Sequence, residues 1–167
     1  MSAVSLRPYL PADAARCAAI FRASVEGLAI EDYSADQCVA WAALADDDGF
    51  AKRLAGALTL VALVGGAPAG FASLKGAETI EMLYVDPDFA RQGVATALLD
   101  ALGRLAAARG AAILTSEVSD TARPLFDRQG FQAQRRNLVQ LGDEWLANTT
   151  MTKRLAPQSD ANEPVRH

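Results

Sequence analysis

The chain has 167 residues, 51% of them hydrophobic, and a formal net charge of −4 at pH 7. This size suits one domain that buries its own core, and the acidic balance argues against nucleic-acid binding, which requires a concentrated basic face. No apolar run approaches the ~20 residues that cross a bilayer and no signal peptide is evident, so we expect a soluble cytoplasmic protein that binds no membrane.

The first third of the chain has the pattern of a strand and two helices. Residues 4–7 form the strand, and a helix with one apolar face follows Asp13. Ser34 and Gln37 have the spacing of a capping box, which predicts the start of a second helix. That helix should end at the acidic run 46–49. We interpret this run as a solvated loop rather than a cation site, because three consecutive residues of a helix cannot all face one point and no EF-hand spacing follows.

No metal site is predicted. Cys17 and Cys38 are the only cysteines, and neither has a neighbouring Cys or His that would complete a ligand set. Two buried, reduced thiols are therefore expected. His167, the only histidine, ends a polar tail over 157–167 that we expect to be disordered and without a catalytic role, which leaves 1–156 as the domain.

The rest of the chain alternates between strand and helix patterns. The predicted strands are 58–64, 68–74, 79–85, 111–118, 136–141 and 145–153, and the predicted helices are 93–109 and 120–129. Gly65-Gly66 and Gly142-Asp143 are typical of hairpin turns. The order predicts a single α/β (α+β) domain with a mixed sheet.

The turn from the strand 79–85 into the following helix is the strongest candidate for a binding site. Main-chain N–H groups at a helix start lack internal acceptors and face the positive end of the helix dipole. Gly93 allows a ligand to approach the backbone, and Arg91 could contact a phosphate. The segment has neither the three glycines of a dinucleotide fingerprint nor the Gly-Lys-Ser/Thr of a P-loop.

Several motifs resemble the GNAT superfamily of N-acetyltransferases. Residues 90–95, Ala-Arg-Gln-Gly-Val-Ala, match the family signature Gln/Arg-x-x-Gly-x-Gly/Ala at Gly93 and Ala95, but Ala90 stands at the Gln/Arg position. Residues 83–85 resemble the strand segment that contacts the pantetheine arm, and 122–131 resemble the late helix that ends in Gly-Phe.

The resemblance implies a fold, a cosubstrate and a set of contacts. The fold is a twisted, mostly antiparallel mixed sheet flanked by helices and splayed where acetyl-CoA binds. The reaction is transfer of an acetyl group from acetyl-CoA to a primary amine by direct attack in a ternary complex. The residues implied to bind acetyl-CoA are Leu83, Tyr84, Val85, Arg91, Gln92, Gly93, Val94, Ala95, Thr96, Ser119 and Phe126.

The catalytic groups follow partly from the resemblance and partly from strand periodicity. The family implies that the main-chain N–H of Val85 polarises the acetyl carbonyl, and Ser119 stands where relatives carry a cofactor-contacting Asn. Glu81 is our leading general base, because alternation places it on the face of Leu83 and Val85. Phe126 occupies the position where relatives place a Tyr acid, and a phenyl ring cannot donate a proton.

Other residues are weaker candidates. Tyr84 and Glu117 are reserve candidates for acid and base, but they rank below Glu81 because alternation predicts that both point away from its face. The first two helices and the last hairpin would form the acceptor pocket, whose predicted lining residues are Tyr33, Trp41, Trp145 and Asn148.

Two other interpretations stay open at this point. The Phe at position 126 allows a non-catalytic acyl-CoA-binding sensor, and a purely structural module would leave the loop at Gly93 empty. The acceptor is not identified by the sequence. The closing hairpin could offer an edge strand for a homodimer.

Overall fold

The structure is a computed structural model that describes residues 3–155, so the predicted tail from 157 lies outside the described residues. Seven strands and five α-helices alternate along this part of the chain. The strands are β1 Val4–Pro8, β2 Leu58–Val64, β3 Ala67–Lys75, β4 Thr79–Val85, β5 Ile113–Ser119, β6 Gln132–Leu141 and β7 Glu144–Arg154. The helices are α1 Ala14–Gly27, α2 Ala35–Ala42, α3 Asp48–Ala55, α4 Val94–Ala108 and α5 Arg123–Arg128.

The strands form one sheet in the order β1-β2-β3-β4-β5-β7-β6. The pair β4 and β5 is parallel, and every other neighbouring pair in this sheet is antiparallel. The parallel pair follows from the β4–α4–β5 crossover, because a helix between two adjacent strands returns the chain in the same direction. The predicted mixed, mostly antiparallel α/β sheet is confirmed.

Each face of the sheet buries a separate hydrophobic core. One core packs α4 and α5 against the sheet through Leu98, Leu102 and Phe126. The other packs α1, α2 and α3 against the opposite face through Ile20, Cys38 and Leu54. The second face is called the helix-triplet face below, because it carries the first three helices.

The sheet opens between β4 and β5. These strands pair only at Thr79 with Thr115 and at Ile80 with Ser116, whereas β5 pairs with β7 over seven positions. From Glu81 onward, the edge of β4 that faces β5 has no strand partner within residues 3–155. The splay expected from the family resemblance is therefore present, and it leaves backbone groups free in the interior of the sheet.

Three element predictions need correction. The acidic run is not simply a loop, because Asp47 accepts a hydrogen bond from the N–H of Gly49 and caps the unpredicted helix α3. The spacing of Phe50 and Leu54 was the overlooked signal for that helix. The late helix begins at Arg123 rather than 120, and β6 begins at Gln132 rather than 136. The capping box of α2 is confirmed in both of its hydrogen bonds.

Gly70 on β3 lies where the sheet meets the start of α4. A Cβ atom at this position would lie 2.8 Å from the carbonyl oxygen of Tyr84 and 2.9 Å from the Cγ1 of Val94. Because one of these atoms is backbone, relief requires β4 to shift. We expect Gly70→Ala to lower the free energy of unfolding by about 2 kcal/mol in a urea titration, and an unchanged midpoint would contradict this close packing.

Candidate active site

The loop before α4 presents unpaired backbone donors. The first α-helical hydrogen bond runs from the N–H of Ala97 to the carbonyl of Gly93, so the N–H groups of Val94, Ala95 and Thr96 have no acceptor within the helix. Gly93 occupies the N-cap and has no side chain with which to cap them. Three donors at the positive end of a 15-residue helix form an anion-binding arrangement.

Two residues of this loop have left-handed backbone conformations. Gly93 has φ +80°, and no described atom beyond its chain neighbours lies within 4 Å of the place where a Cβ would be. Arg91 has φ +63° and is the one non-glycine residue with positive φ in the described chain. A left-handed conformation costs an L-residue roughly 1–2 kcal/mol, and such strain is typical of functional loops.

A groove with a volume of about 300 Å³ runs from this loop to the opening in the sheet, and it is called the loop groove below. The end of α1 forms one wall and the β5–α5 turn forms the other. The Thr121 hydroxyl lies in that turn and is buried without a hydrogen-bond partner in the described protein. A buried hydroxyl left unpaired is costly, so this atom is suited to a polar ligand in the groove.

Asp86 holds the loop against α1. Its carboxylate is buried, accepts a hydrogen bond from the N–H of Asp88 at 3.0 Å and pairs with Arg16 at 2.8 Å. The Arg16 guanidinium also donates to the carbonyl of Pro68 at 3.1 Å. These contacts join β3, α1 and the loop, and so fix the position from which α4 begins.

Substitution of Asp86 tests this anchoring. Asp86→Ala removes both the turn hydrogen bond and the ion pair, and we expect a loss of about 1–2 kcal/mol in the free energy of unfolding. Asp86→Asn keeps the acceptor for the Asp88 N–H and should lose less than half of that amount. Thermal unfolding of both variants measures the difference. Equal losses would show that the ion pair alone accounts for the effect.

A second cavity, of about 150 Å³, lies within the opening between β4 and β5 on the helix-triplet face, and it is called the strand cleft below. Glu81 lies in its wall, but not on the predicted face. Ser73 pairs with Met82 and Leu74 with Ile80, so Glu81 is the extra residue of a β-bulge. The bulge interrupts the alternation, and the carboxylate of Glu81 pairs with Arg53 of α3 at 2.9 Å.

This bulge corrects the predicted geometry of the candidate bases and acids. Leu83 and Val85 pack toward the α4 core, whereas Glu81 reaches α3 and Tyr84 packs among the residues beneath the first three helices. Glu117 also lines the strand cleft. The prediction that Tyr84 and Glu117 point away from Glu81 was therefore wrong, because strict alternation does not survive a bulge.

The loop groove and the strand cleft meet at a junction. The residues that line both are Trp41, Leu83, Tyr84, Ser119 and Ala122. The Ser119 hydroxyl oxygen accepts a hydrogen bond from the N–H of Ala122 at 3.1 Å, which leaves its own proton free to donate. Burial raises the pKa of Tyr84 to about 12, against a smaller opposing effect of a hydrogen bond with Trp41, so the phenol is protonated at neutral pH.

The predicted site residues are mostly brought together. Five of the six loop residues line the loop groove, and Gln92 does not. Phe126 is buried against Phe131 and reaches the strand cleft rather than the groove. Of the four residues predicted to line an acceptor pocket, Tyr33, Trp41 and Asn148 line the cleft, whereas Trp145 is 54% exposed and lies outside its lining.

Several residues of the loop groove were not predicted from the sequence. Ser24, Leu28, Thr121 and Arg128 line the loop groove. Thr121 follows Ser119 in the same turn and could have been suspected from that position. The end of α1 carries no local signal, because only the tertiary packing of α1 against the loop brings it there. Among residues 3–155, no group of three His, Cys, Asp or Glu side chains is placed to hold a metal ion.

Comparison with known proteins agrees with this geometry. The family model of the GNAT acetyltransferase domain matches residues 29–155. The chain belongs to the GNAT superfamily. An uncharacterized N-acetyltransferase of Escherichia coli, YafP, is 36% identical over 158 residues, which cover 95% of this chain and 99% of YafP.

Solved GNAT structures share the fold. A GCN5-related N-acetyltransferase from Rhodopseudomonas palustris is 57% identical, with a TM-score of 0.90 over 93% of this chain and 98% of its own. The PaiA N-acetyltransferase of Thermoplasma acidophilum, solved in complex with coenzyme A, is 16% identical with a TM-score of 0.76 over 91% of this chain and 99% of its own. The protein is thus a GNAT acyltransferase, and none of the helices in its described part could span a membrane.

Proposed function

We propose that the protein transfers an acetyl group from acetyl-CoA to a primary amine by direct attack in a ternary complex. The observation that carries the proposal is the junction of the loop groove with the strand cleft. A ligand held at the helix start and one held in the cleft would meet beside Tyr84 and Ser119. Two cavities that converge on proton-carrying groups suit a reaction between two bound substrates.

The loop groove fits acetyl-CoA in three respects. The N–H groups of Val94, Ala95 and Thr96 can hold the pyrophosphate, and the exposed Arg91 and Arg128 side chains can add positive charge. The unpaired Thr121 hydroxyl provides a polar contact for the pantetheine arm. The related PaiA structure contains coenzyme A, which supports the same use of the groove here.

The open edge of β4 supplies a candidate donor for the acetyl carbonyl. The N–H of Asp86 bonds to the carbonyl of Ala69 on β3. Successive N–H groups of a strand point to opposite edges, so the N–H of Val85 points toward the opening. A fixed N–H of this kind stabilises negative charge that develops on a carbonyl oxygen during acyl transfer.

Two proton transfers are assigned to side chains near the junction. Glu81, acting through water, accepts the proton of the attacking ammonium group, so that the neutral amine can attack the thioester carbon. After the attack the nitrogen loses its second proton and the carbon–sulfur bond breaks. That proton reaches the thiolate through Ser119 or water, and Glu81 releases the first proton to solvent. Phe126 takes no part in proton transfer, since a phenyl ring has no proton to donate, and its buried ring packs against Phe131.

The alternative is an acyl-CoA sensor that binds without turnover. Its support is the missing Tyr hydroxyl at position 126. The Ser119 and Tyr84 hydroxyls at the junction weaken that support, because they offer other proton donors in the same place.

Calorimetric titration with acetyl-CoA, paired with a thiol-release assay over a panel of amines, tests the proposal. Binding together with amine-dependent release is the expected result. Binding without release would favour the sensor, and no binding would overturn the assignment of the loop groove. Cys17 and Cys38 are buried, and desolvation raises the pKa of Cys17 to about 12, so the folded protein should add little background to the assay.

A further inference from the structure

The strand cleft has an aromatic wall. Tyr33 and Trp41 meet edge to face with ring centroids 5.3 Å apart, and Trp41 meets Tyr84 at 6.3 Å. The Tyr33 hydroxyl is committed to the protein, since it donates to the carbonyl of Ala147 at 2.6 Å and accepts from the N–H of Asp120 at 2.9 Å. These bonds fix the ring, so it presents apolar surface to a ligand at little cost in entropy.

Another part of the lining is aliphatic. Val139 and Leu141 of β6 and Leu146 of β7 line the cleft on the hairpin side. The volume of about 150 Å³ is that of a protein cavity that takes up one benzene ring. The size of the cleft and its aromatic and aliphatic residues therefore suit a compact apolar group, beside the polar residues Ser116, Ser119 and Asn148 that also line it.

The charged groups of the cleft are acidic. Glu81 and Glu117 line it, and neither Lys nor Arg is among its lining residues in the described chain. The Arg53 guanidinium is paired with Glu81, and the Arg136 guanidinium, beyond Tyr33, is paired with Asp120. Glu117 is exposed and has no ion-pair partner among residues 3–155. A ligand carboxylate in the cleft would thus meet two carboxylates, with no Lys or Arg among the described lining residues to offset their charge.

From these observations, and on the basis of the proposed function, we infer that the acceptor is a small primary amine on an apolar body of about one ring, with no carboxylate beside the amine. The aliphatic and aromatic walls bind the body, and Glu117 attracts the ammonium group before Glu81 removes its proton. A free amino acid is disfavoured because its carboxylate lies two bonds from the nitrogen that must reach Glu81. A polyamine is disfavoured because its further ammonium groups would lie against Val139, Leu141 and Leu146.

A matched set of three amines tests the charge preference. 2-Phenylethylamine, phenylalanine and phenylalaninamide share the ring, and the last two share a substituent of similar size beside the amine. At equal concentrations of neutral amine, we expect kcat/KM to be about ten-fold or more higher for 2-phenylethylamine and phenylalaninamide than for phenylalanine. A rate for phenylalanine equal to that of its amide would overturn the inference, as would a higher rate with spermidine or with a lysine-containing peptide.

A pair of variants locates the source of the discrimination. Glu117→Gln should lower the ratio of kcat/KM for phenylalaninamide to kcat/KM for phenylalanine by about three-fold or more. Asp143→Asn removes the same charge from the exposed β6–β7 turn, outside the cleft lining, and should leave that ratio unchanged. If both variants change the ratio of kcat/KM values equally, the preference for the amide comes from the net charge of the protein rather than from the cleft. That result would overturn the inference.

Failure of the proposed transferase function can be distinguished from failure of the inferred acceptor class. Acetyl-CoA binding without thiol release for any amine would overturn the proposed transferase and this inference with it. Thiol release that is fastest with phenylalanine, spermidine or the peptide would leave the transferase intact and overturn only the acceptor class.

Discussion

Replacement of Gly93 with alanine is expected to raise the Kd for acetyl-CoA about 30-fold or more. Gly93 has φ +80°, a conformation that an alanine adopts only with strain, and its carbonyl accepts the first hydrogen bond of α4. A change in this residue's dihedral angles would tilt the N–H groups of Val94 and Ala95 that are assigned to the pyrophosphate. Calorimetric titration of the variant measures the loss.

The chain offers a matched control for this substitution. Gly76, in the β3–β4 turn, has φ +62°, and no described atom lies within 4 Å of the point that a Cβ would occupy there. Gly76→Ala therefore introduces comparable backbone strain outside the lining of the loop groove. Both variants should lose about 1 kcal/mol of unfolding free energy, but only Gly93→Ala should lose affinity. Similar affinities in the two variants would contradict the assignment of the helix start to the phosphates.

Features of the fold and site were predictable from the sequence where the residues that determine them are close together in the chain. The binding loop was predictable because Gly93, the strand before it and the helix after it are contiguous in the chain. The capping box at Ser34 and the hairpin at Gly65-Gly66 are local in the same sense, and the structure contains both elements. Where a few neighbouring residues determine the backbone, sequence patterns are sufficient.

Features that depend on distant partners were missed or misjudged. The bulge at Glu81 arises in the pairing of β4 with β3, and no residue within β4 marks it. The late helix is shorter than its apolar pattern suggests because Ser119 caps a turn at Ala122 before the helix begins. The unpaired hydroxyl of Thr121 and the contribution of α1 to the loop groove are visible only once the chain is folded.

The bulge places Glu81 in the wall of the strand cleft, and Glu81→Gln is expected to have the largest effect on turnover. Glutamine keeps the shape of the side chain but cannot accept a proton, and general-base catalysis contributes roughly 100-fold or more. We expect kcat/KM near pH 7 to fall by about 100-fold while the Kd for acetyl-CoA stays near that of the wild type. The loss should shrink as the pH rises toward the pKa of the acceptor amine, because an amine that is already neutral needs no base.

The alternative explanation for such a loss is that Glu81 merely holds Arg53. Arg53→Met breaks the same ion pair while keeping most of the side-chain bulk, and the Arg53 side chain is 47% exposed, so folding should tolerate the change. If Glu81 is the base, Arg53→Met retains most of the activity and a pH profile like that of the wild type. If the ion pair is what matters, both variants lose activity equally and neither recovers at high pH. A pH–rate series on the two variants therefore separates proton transfer from positioning, since only loss of the base gives a defect that depends on the protonation of the acceptor.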